Sequence, residues 1–218
     1  MSVTTNTANN PHLTRSYVLK NVNEAQEVYD AWAKTYDSDL RDPSQNYVGP
    51  AAVARLVAGA LGTPTISPDL LLLDAGCGTG LAGVELARLG AKHIDGRDLS
   101  PGMLAVARQS GAYEALQTTD LNKPLDVQDG KYDVVVCVGT FTHTHVGPEA
   151  LRELVRVTKR EGVVVATVLD DIWESQGFKA EVARLEADGK AKVLSAESGD
   201  YRKGCGVTAT FVVLRVLV

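Results

Sequence analysis

The sequence predicts an α/β protein, a mostly parallel sheet with helices on both faces that finishes in an antiparallel β-hairpin. Three observations lead there. Short apolar runs alternate with helix-patterned stretches from Leu70 to Leu169, a glycine-rich turn at Gly76 to Gly80 follows the first apolar run, and no helical segment separates the last two strand-like stretches. Alternation of this kind gives parallel strands with right-handed crossovers. Two strands joined without a helix can pair antiparallel.

The elements follow in order. Residues 1–20 are rich in Thr and Asn, and this composition predicts a disordered tail. From Asn23, a candidate cap, Ala25, Val28, Tyr29, Trp32 and Tyr36 recur at helical spacing, and Asp42-Pro43 ends the segment. Pro50 opens a second helix that Gly62 closes. Residues 21–62 thus read as a helical cap, joined by Thr63 to Pro68 to a sheet within one domain over 21–218. Leu70 to Asp74 is a strand buried on both faces, and Leu81 to Leu89 a helix stopped by Gly90. Lys92 to Asp98 is a strand carrying the charges Asp95 and Arg97, which an edge position or pairing would explain. Ser100-Pro101 opens the next helix, Ala115 to Thr119 is a weak strand, and Tyr132 to Val138 is the strongest strand signal. Pro148 to Thr158 is helical, Val163 to Leu169 a buried strand, and Ile172 to Ala187 a helix. Ala191 to Ala196 and Val207 to Val216 make the final pair, for seven strands.

Composition narrows the function. With 218 residues, 44% of them hydrophobic and 22% charged, the chain can bury a substantial core. A net charge of -5 gives no electrostatic reason to expect a nucleic-acid partner. Cys77, Cys137 and Cys205 show no CxxC spacing, which suits free thiols in a reducing compartment. No apolar run reaches bilayer length and the N-terminus lacks a secretory pattern. The expectation is a cytoplasmic protein, monomeric or homodimeric, with no membrane partner and no metal.

The turn between Asp74 and Leu81 carries the chemistry. Glycines there let a backbone approach a ligand and aim amide hydrogens at an anion. Gly78, Gly80 and Gly83 spell GxGxxG, and Asp98 lies about 20 residues on, as in a dinucleotide site. Against a dinucleotide, Asp74 ends the strand and Gly76 is the first glycine of the turn. A carboxylate at that place can accept a hydrogen bond from an ammonium group. The amino-acid end of S-adenosylmethionine has one, and a pyrophosphate has none.

Residues 74–80, DAGCGTG, resemble the signature of class I S-adenosylmethionine-dependent methyltransferases. Residues 98–104, DLSPGML, are similar to the turn after their second strand, and residues 132–136, YDVVV, to their fourth strand. The front segment, Tyr29-Asp30-Ala31-Trp32-Ala33 with Tyr36-Asp37, resembles a smaller branch that includes the methyltransferase-like protein of the Williams-Beuren deletion region. The resemblance implies a Rossmann-like seven-stranded sheet and S-adenosyl-L-methionine as cofactor. It implies that Asp74, Gly76, Cys77, Gly78 and Gly80 hold the methionyl end, with Tyr36 covering it. Asp98 would take the ribose hydroxyls, and Leu99 and Met103 would pack near the adenine. Asp120 and Leu121 would read the adenine edge, and Val138 and Gly139 line the methyl-donor side. The chain departs from the family at Arg160-Glu161-Gly162, where a Pro-Gly-Gly turn is usual.

Methyl transfer from a sulfonium requires alignment, exclusion of water and sometimes proton removal. Past the fourth strand the chain reads Gly139-Thr140-Phe141-Thr142-His143-Thr144-His145, so His143 and His145 are the candidate bases, His143 being nearer the strand end. Asp170, Asp171, Trp173, Phe178 and Tyr201 are expected to complete a pocket suited to a small, partly apolar acceptor. The reading is a small-molecule methyltransferase acting at oxygen. A protein methyltransferase, a non-catalytic S-adenosylmethionine-binding interaction protein and, more remotely, a nicotinamide oxidoreductase are the alternatives.

Overall fold

A computed structural model describes residues 6–143 and 145–218. One sheet of seven strands runs through it in the order β3-β2-β1-β4-β5-β7-β6. Its strands are β1 (Leu71–Ala75), β2 (His93–Asp98), β3 (Ala115–Thr118), β4 (Tyr132–Phe141), β5 (Thr158–Leu169), β6 (Ala191–Arg202) and β7 (Val207–Val216). The first five are parallel, and β7 is antiparallel to both β5 and β6. The expected architecture is therefore present, hairpin included. Val134 to Val136 and Val163 to Val165 are essentially inaccessible, as a sheet covered on both faces requires.

The charges on β2 are explained by pairing, because β2 lies inside the sheet. Asp95 accepts hydrogen bonds from the Tyr132 hydroxyl at 2.7 Å and the Lys131 ammonium at 2.9 Å. The turn before the core of β5 places Glu161 at φ 63°, a backbone conformation that the family's glycine would adopt without strain. Gly162 is fixed by space, since a Cβ there would sit 2.7 Å from the Lys159 carbonyl and 2.8 Å from that of Asp133.

Four helices precede the sheet: α1 (Pro11–Ser16), α2 (Val22–Trp32), α3 (Tyr36–Arg41) and α4 (Gly49–Leu61). Helix α1 falls where composition predicted a disordered tail. The Asn10 side chain caps it through the Leu13 amide, Pro11 opens it, and Leu13 packs into a cluster with Trp32 and Leu40. Composition averages over such a cap, and burial of Leu13 and Leu19 supplies what so short a helix lacks on its own. The rest of that expectation, at residues 1–5, lies outside the described residues. The helix expected from Asn23 is capped instead by Asn21, whose side chain accepts from the Glu24 amide. It breaks after Trp32, so that Tyr36 begins a separate helix.

The remaining helices are α5 (Leu81–Arg88), α6 (Pro101–Gln109), α7 (Ala150–Val157), α8 (Asp170–Trp173) and α9 (Phe178–Ala187). Among the described residues no helix is long and apolar enough to cross a membrane. Strand order reverses between β1 and β4, and in open α/β sheets the crevice at that reversal, beyond the C-terminal strand ends, is where ligands bind.

Candidate functional site

At that reversal the chain leaves β1 through Gly76 (φ 77°), Gly78 (φ 54°) and Gly80 (φ 96°). These left-handed values admit glycine at little cost. Gly76 also passes so close to Thr140 of β4 that any Cβ would collide with the threonine hydroxyl. Asp98, at the end of β2, accepts from the Gly78 amide at 2.8 Å and the Ser100 amide at 2.9 Å. Burial raises its carboxyl, and those amides oppose the rise.

A cavity of about 330 Å³ opens along these strand ends. Gly76 and Gly78 of the turn, Asp98, Leu99 and Met103 at and past the end of β2, and Asp120, Leu121 and Asn122 beyond β3 line it. Val138, Gly139 and Thr140 supply the β4 side, and the start of α2 lies across the top with Tyr29 and Tyr36. The sequence-predicted residues Tyr36, Gly76, Gly78, Asp98, Leu99, Met103, Asp120, Leu121, Val138 and Gly139 are thus gathered around one space. Asp120 also shapes its own turn, accepting from the Asn122 amide at 3.0 Å.

Asp74 and Cys77 line a smaller recess beside it, bounded by Gly76, Gly78, Tyr36 and Tyr47. Asp74 is fully buried; its Oδ2 accepts from the Tyr113 hydroxyl at 2.6 Å, and its Oδ1 has no hydrogen-bond partner among the described residues. Burial pushes its carboxyl up to about 7, against the pull of the Tyr113 hydrogen bond. A buried carboxylate oxygen without a donor costs free energy that an incoming ammonium group would recover, so the recess fits the amino-acid end of S-adenosylmethionine. Burial holds the Cys77 thiol well above its ordinary range, so Cys77 is a neutral wall.

Two aspartates of the front segment fasten the cap to the loops that form the cavity. Asp30 on α2 accepts from the Ser100 hydroxyl at 2.5 Å and the Gly102 amide at 2.8 Å. Asp37 on α3 accepts from the Thr79 hydroxyl at 2.5 Å. Sequence reasoning noted both residues only as part of a resemblance. Their acidic character beside an otherwise apolar stripe was the available signal.

The two histidines separate. His145 lines the cavity, its Nε2 2.8 Å from the Tyr29 hydroxyl and its Nδ1 2.5 Å from the Thr142 hydroxyl. Burial, then the nearby His143, lowers its pKa to about 4. His143 lies farther out, where its Nε2 is 2.9 Å from Asp171 Oδ2 and its ring 4.8 Å from that of Tyr17. Strand β4 runs on to Phe141, longer than predicted, which carries His143 past the cavity.

Aromatic hydroxyls face the β4 end from two distant segments. Tyr47 and Tyr201 are joined at 3.1 Å, and a Cβ on Gly139 would lie within 3.0 Å of both oxygens. Burial raises both phenols, so they are hydrogen-bond donors at neutral pH. Tyr47 escaped the sequence reading because nothing near it in the chain signals a site.

A parallel sheet with a left-handed glycine turn, an acidic group closing β1 and another closing β2 defines the class I, S-adenosylmethionine-dependent methyltransferase type. Residues 73–166 match the methyltransferase domain family. Human methyltransferase-like protein 27 is 35% identical over 165 residues, 74% of this chain and 65% of that protein. The magnesium-protoporphyrin O-methyltransferase of Synechocystis is 36% identical over 128 residues, 53% of this chain and 52% of that one. The chain therefore spans between about half and 65% of the length of these relatives. The Synechocystis magnesium protoporphyrin IX methyltransferase, solved with bound SAH, superposes with a TM-score of 0.57 at 20% identity, covering 95% of this chain and 93% of that one. Both the class and the methyltransferase-like branch expected from the sequence stand.

Proposed function

We propose that this chain transfers a methyl group from S-adenosylmethionine to a small-molecule acceptor, at oxygen. The observation that carries the reading is the unpartnered Oδ1 of Asp74 in a recess that shares Gly76 and Gly78 with the cavity lined by Asp98. In this reading Asp74 accepts from the ammonium group, and the turn of Gly76, Cys77, Gly78 and Gly80 holds the carboxylate end beneath Tyr36. Asp98 exchanges its amide partners for ribose hydroxyls. Leu99 and Met103 pack on the adenine, while Asp120 and the Leu121 amide meet its edge. The cofactor supplies a methyl group already activated as a sulfonium, so the protein's work is alignment and exclusion of water.

Val138 and Gly139 then border the methyl group, with the Tyr47 and Tyr201 hydroxyls over Gly139 positioned to orient an acceptor oxygen. Of the two candidate bases we assign His143, whose Nε2 is held 2.9 Å from Asp171 and which would meet an acceptor that extends past the cavity. His145, neutral and engaged at both nitrogens, keeps the wall in shape. A space enclosed by tyrosines and a helical cap suits a small acceptor better than a protein or nucleic-acid chain. An O-methyltransferase among the relatives supports oxygen. Cytoplasmic location, a monomer or homodimer, and no membrane partner belong to the same proposal.

Calorimetry with S-adenosylmethionine, S-adenosylhomocysteine and NADH tests the donor. Binding of NADH with neither adenosyl ligand bound would overturn it. Incubation of metabolite extracts with a labelled methyl donor then identifies the acceptor, and label appearing in protein instead would replace the small-molecule reading.

A further inference from the structure

Tyr113 lies between α6 and β3, outside every motif of the sequence, yet three glycines are shaped around its ring. A Cβ on Gly80 would stand 2.9 Å from its Cε2, and one on Gly96 2.9 Å from its Cδ1. A Cβ on Gly83 would collide with the ring carbon bearing the hydroxyl and with the hydroxyl oxygen itself. The second and third glycines of the GxGxxG pattern therefore clear a slot for a phenol, and no phosphate is needed to explain them. At the bottom of that slot the Tyr113 hydroxyl donates to Asp74 Oδ2 at 2.6 Å and accepts from the Gly83 amide at 3.2 Å.

We infer that Tyr113 is a positioning residue for cofactor capture: it occupies Asp74 Oδ2 and so directs Oδ1, charged and undistracted, to the ammonium group of S-adenosylmethionine. The inference rests on the cofactor role proposed for Asp74. The Gly83 amide fixes the hydroxyl's orientation by occupying its oxygen, which leaves its hydrogen for the carboxylate. The titratable groups facing Asp74 are Tyr113, Asp98, Cys77 and Cys137, with Tyr36 and Tyr47 bordering the same recess. Burial keeps the Tyr113 phenol and the Cys77 thiol protonated well beyond neutral pH, and Asp98 adds a like charge that opposes ionisation of Asp74. The phenol favours the charged form, with a smaller contribution from the Gly83 backbone amide. Removing its hydroxyl leaves the slot filled and the carboxylate harder to ionise.

The test is the pH dependence of S-adenosylhomocysteine binding to the full chain, followed by calorimetry from pH 5.5 to 9. In the wild type, affinity should fall as pH drops through about 7 and Asp74 takes up a proton. It should also fall at alkaline pH as the ligand's amino group loses one. Tyr113→Phe should bind about tenfold more weakly at pH 7.5, the scale of one hydrogen bond to a charged group. Its acid limb should move to higher pH while the alkaline limb stays. Asp74→Asn identifies the limb, because that variant should lack it. An acid limb in Tyr113→Phe that coincides with the wild type overturns the inference, whatever the affinity, since ring packing alone would leave the titration unmoved. Absence of binding by the wild type instead defeats the underlying cofactor reading.

Discussion

The two walls of the crevice are built differently. At the glycine turn the contacts are local: Gly78 and the Asp98 that holds it are 20 residues apart. On the β4 side Tyr47 and Tyr201, which meet over Gly139, are separated by 154 residues. The donor wall carries a buried carboxylate oxygen without a partner, whereas the tyrosine hydroxyls opposite satisfy one another. An unsatisfied buried acceptor destabilises the protein until a ligand arrives, and a satisfied pair holds its shape without one. The wall that strains is the wall that recognises an invariant donor. The wall at rest is free to suit whichever acceptor this chain serves.

The sharpest way to break that comparison is Asp74. Asp74→Ala should reduce affinity for S-adenosylhomocysteine more than about 100-fold by calorimetry, from loss of a charge-assisted contact in a buried site. Asp74→Asn should lose binding too, yet gain stability toward urea at pH 8. The folded carboxyl keeps its proton up to about 7 and the unfolded one loses it near 3.8, so the cost of the folded charge grows as pH rises across that window. A variant that loses both binding and stability would mean the carboxylate is structural.

On the other wall, His143→Ala should lower turnover by about 10- to 100-fold with cofactor affinity unchanged, the usual scale for a general base. A rate equal to wild type would remove its proposed role. Asp37→Ala tests the join between cap and turn. Loss of its bond to Thr79 should weaken S-adenosylhomocysteine binding roughly tenfold, mainly through faster dissociation in stopped flow. The smallest effect concerns His145. Unfolded, it takes up a proton below about 6.5; folded, only near 4, so the unfolded state is favoured as pH falls across that interval. The loss amounts to at most roughly 3 kcal/mol and is partly masked by Asp74, whose slope has the opposite sign. Urea midpoints of His145→Asn at pH 5 and pH 7 should therefore differ more than those of the wild type, because the opposing slope of Asp74 is then unmasked.

The same contrast explains what could be read in advance. The parallel strands and the final hairpin followed from apolar periodicity, and the residues around the cavity from the resemblance of three local motifs to a known family. Helix α1 was missed because composition hid a single cap, Asn10, and a buried Leu13. Tyr113 was missed because its signal is a slot, visible as Gly80, Gly83 and Gly96 only once their distance to one ring is known. The position of His143 turned on where β4 stops, and strand ends are set by pairing that a single sequence does not display. In Phe141 it is the bridge to Val168 of β5 that prolongs the strand.

The fastening of the cap by Asp30 and Asp37 has a consequence for timing. Both latches close on the loops that would grip the donor, and α2 lies over the adenine end. On the proposed reading, a spent cofactor would leave as those latches let go, and departure and cap opening would become one event. The enzyme's clock would then be wound at its roof: successive turnovers would be paced by how often two aspartates release a serine and a threonine, and chemistry at the methyl group could run faster without being noticed.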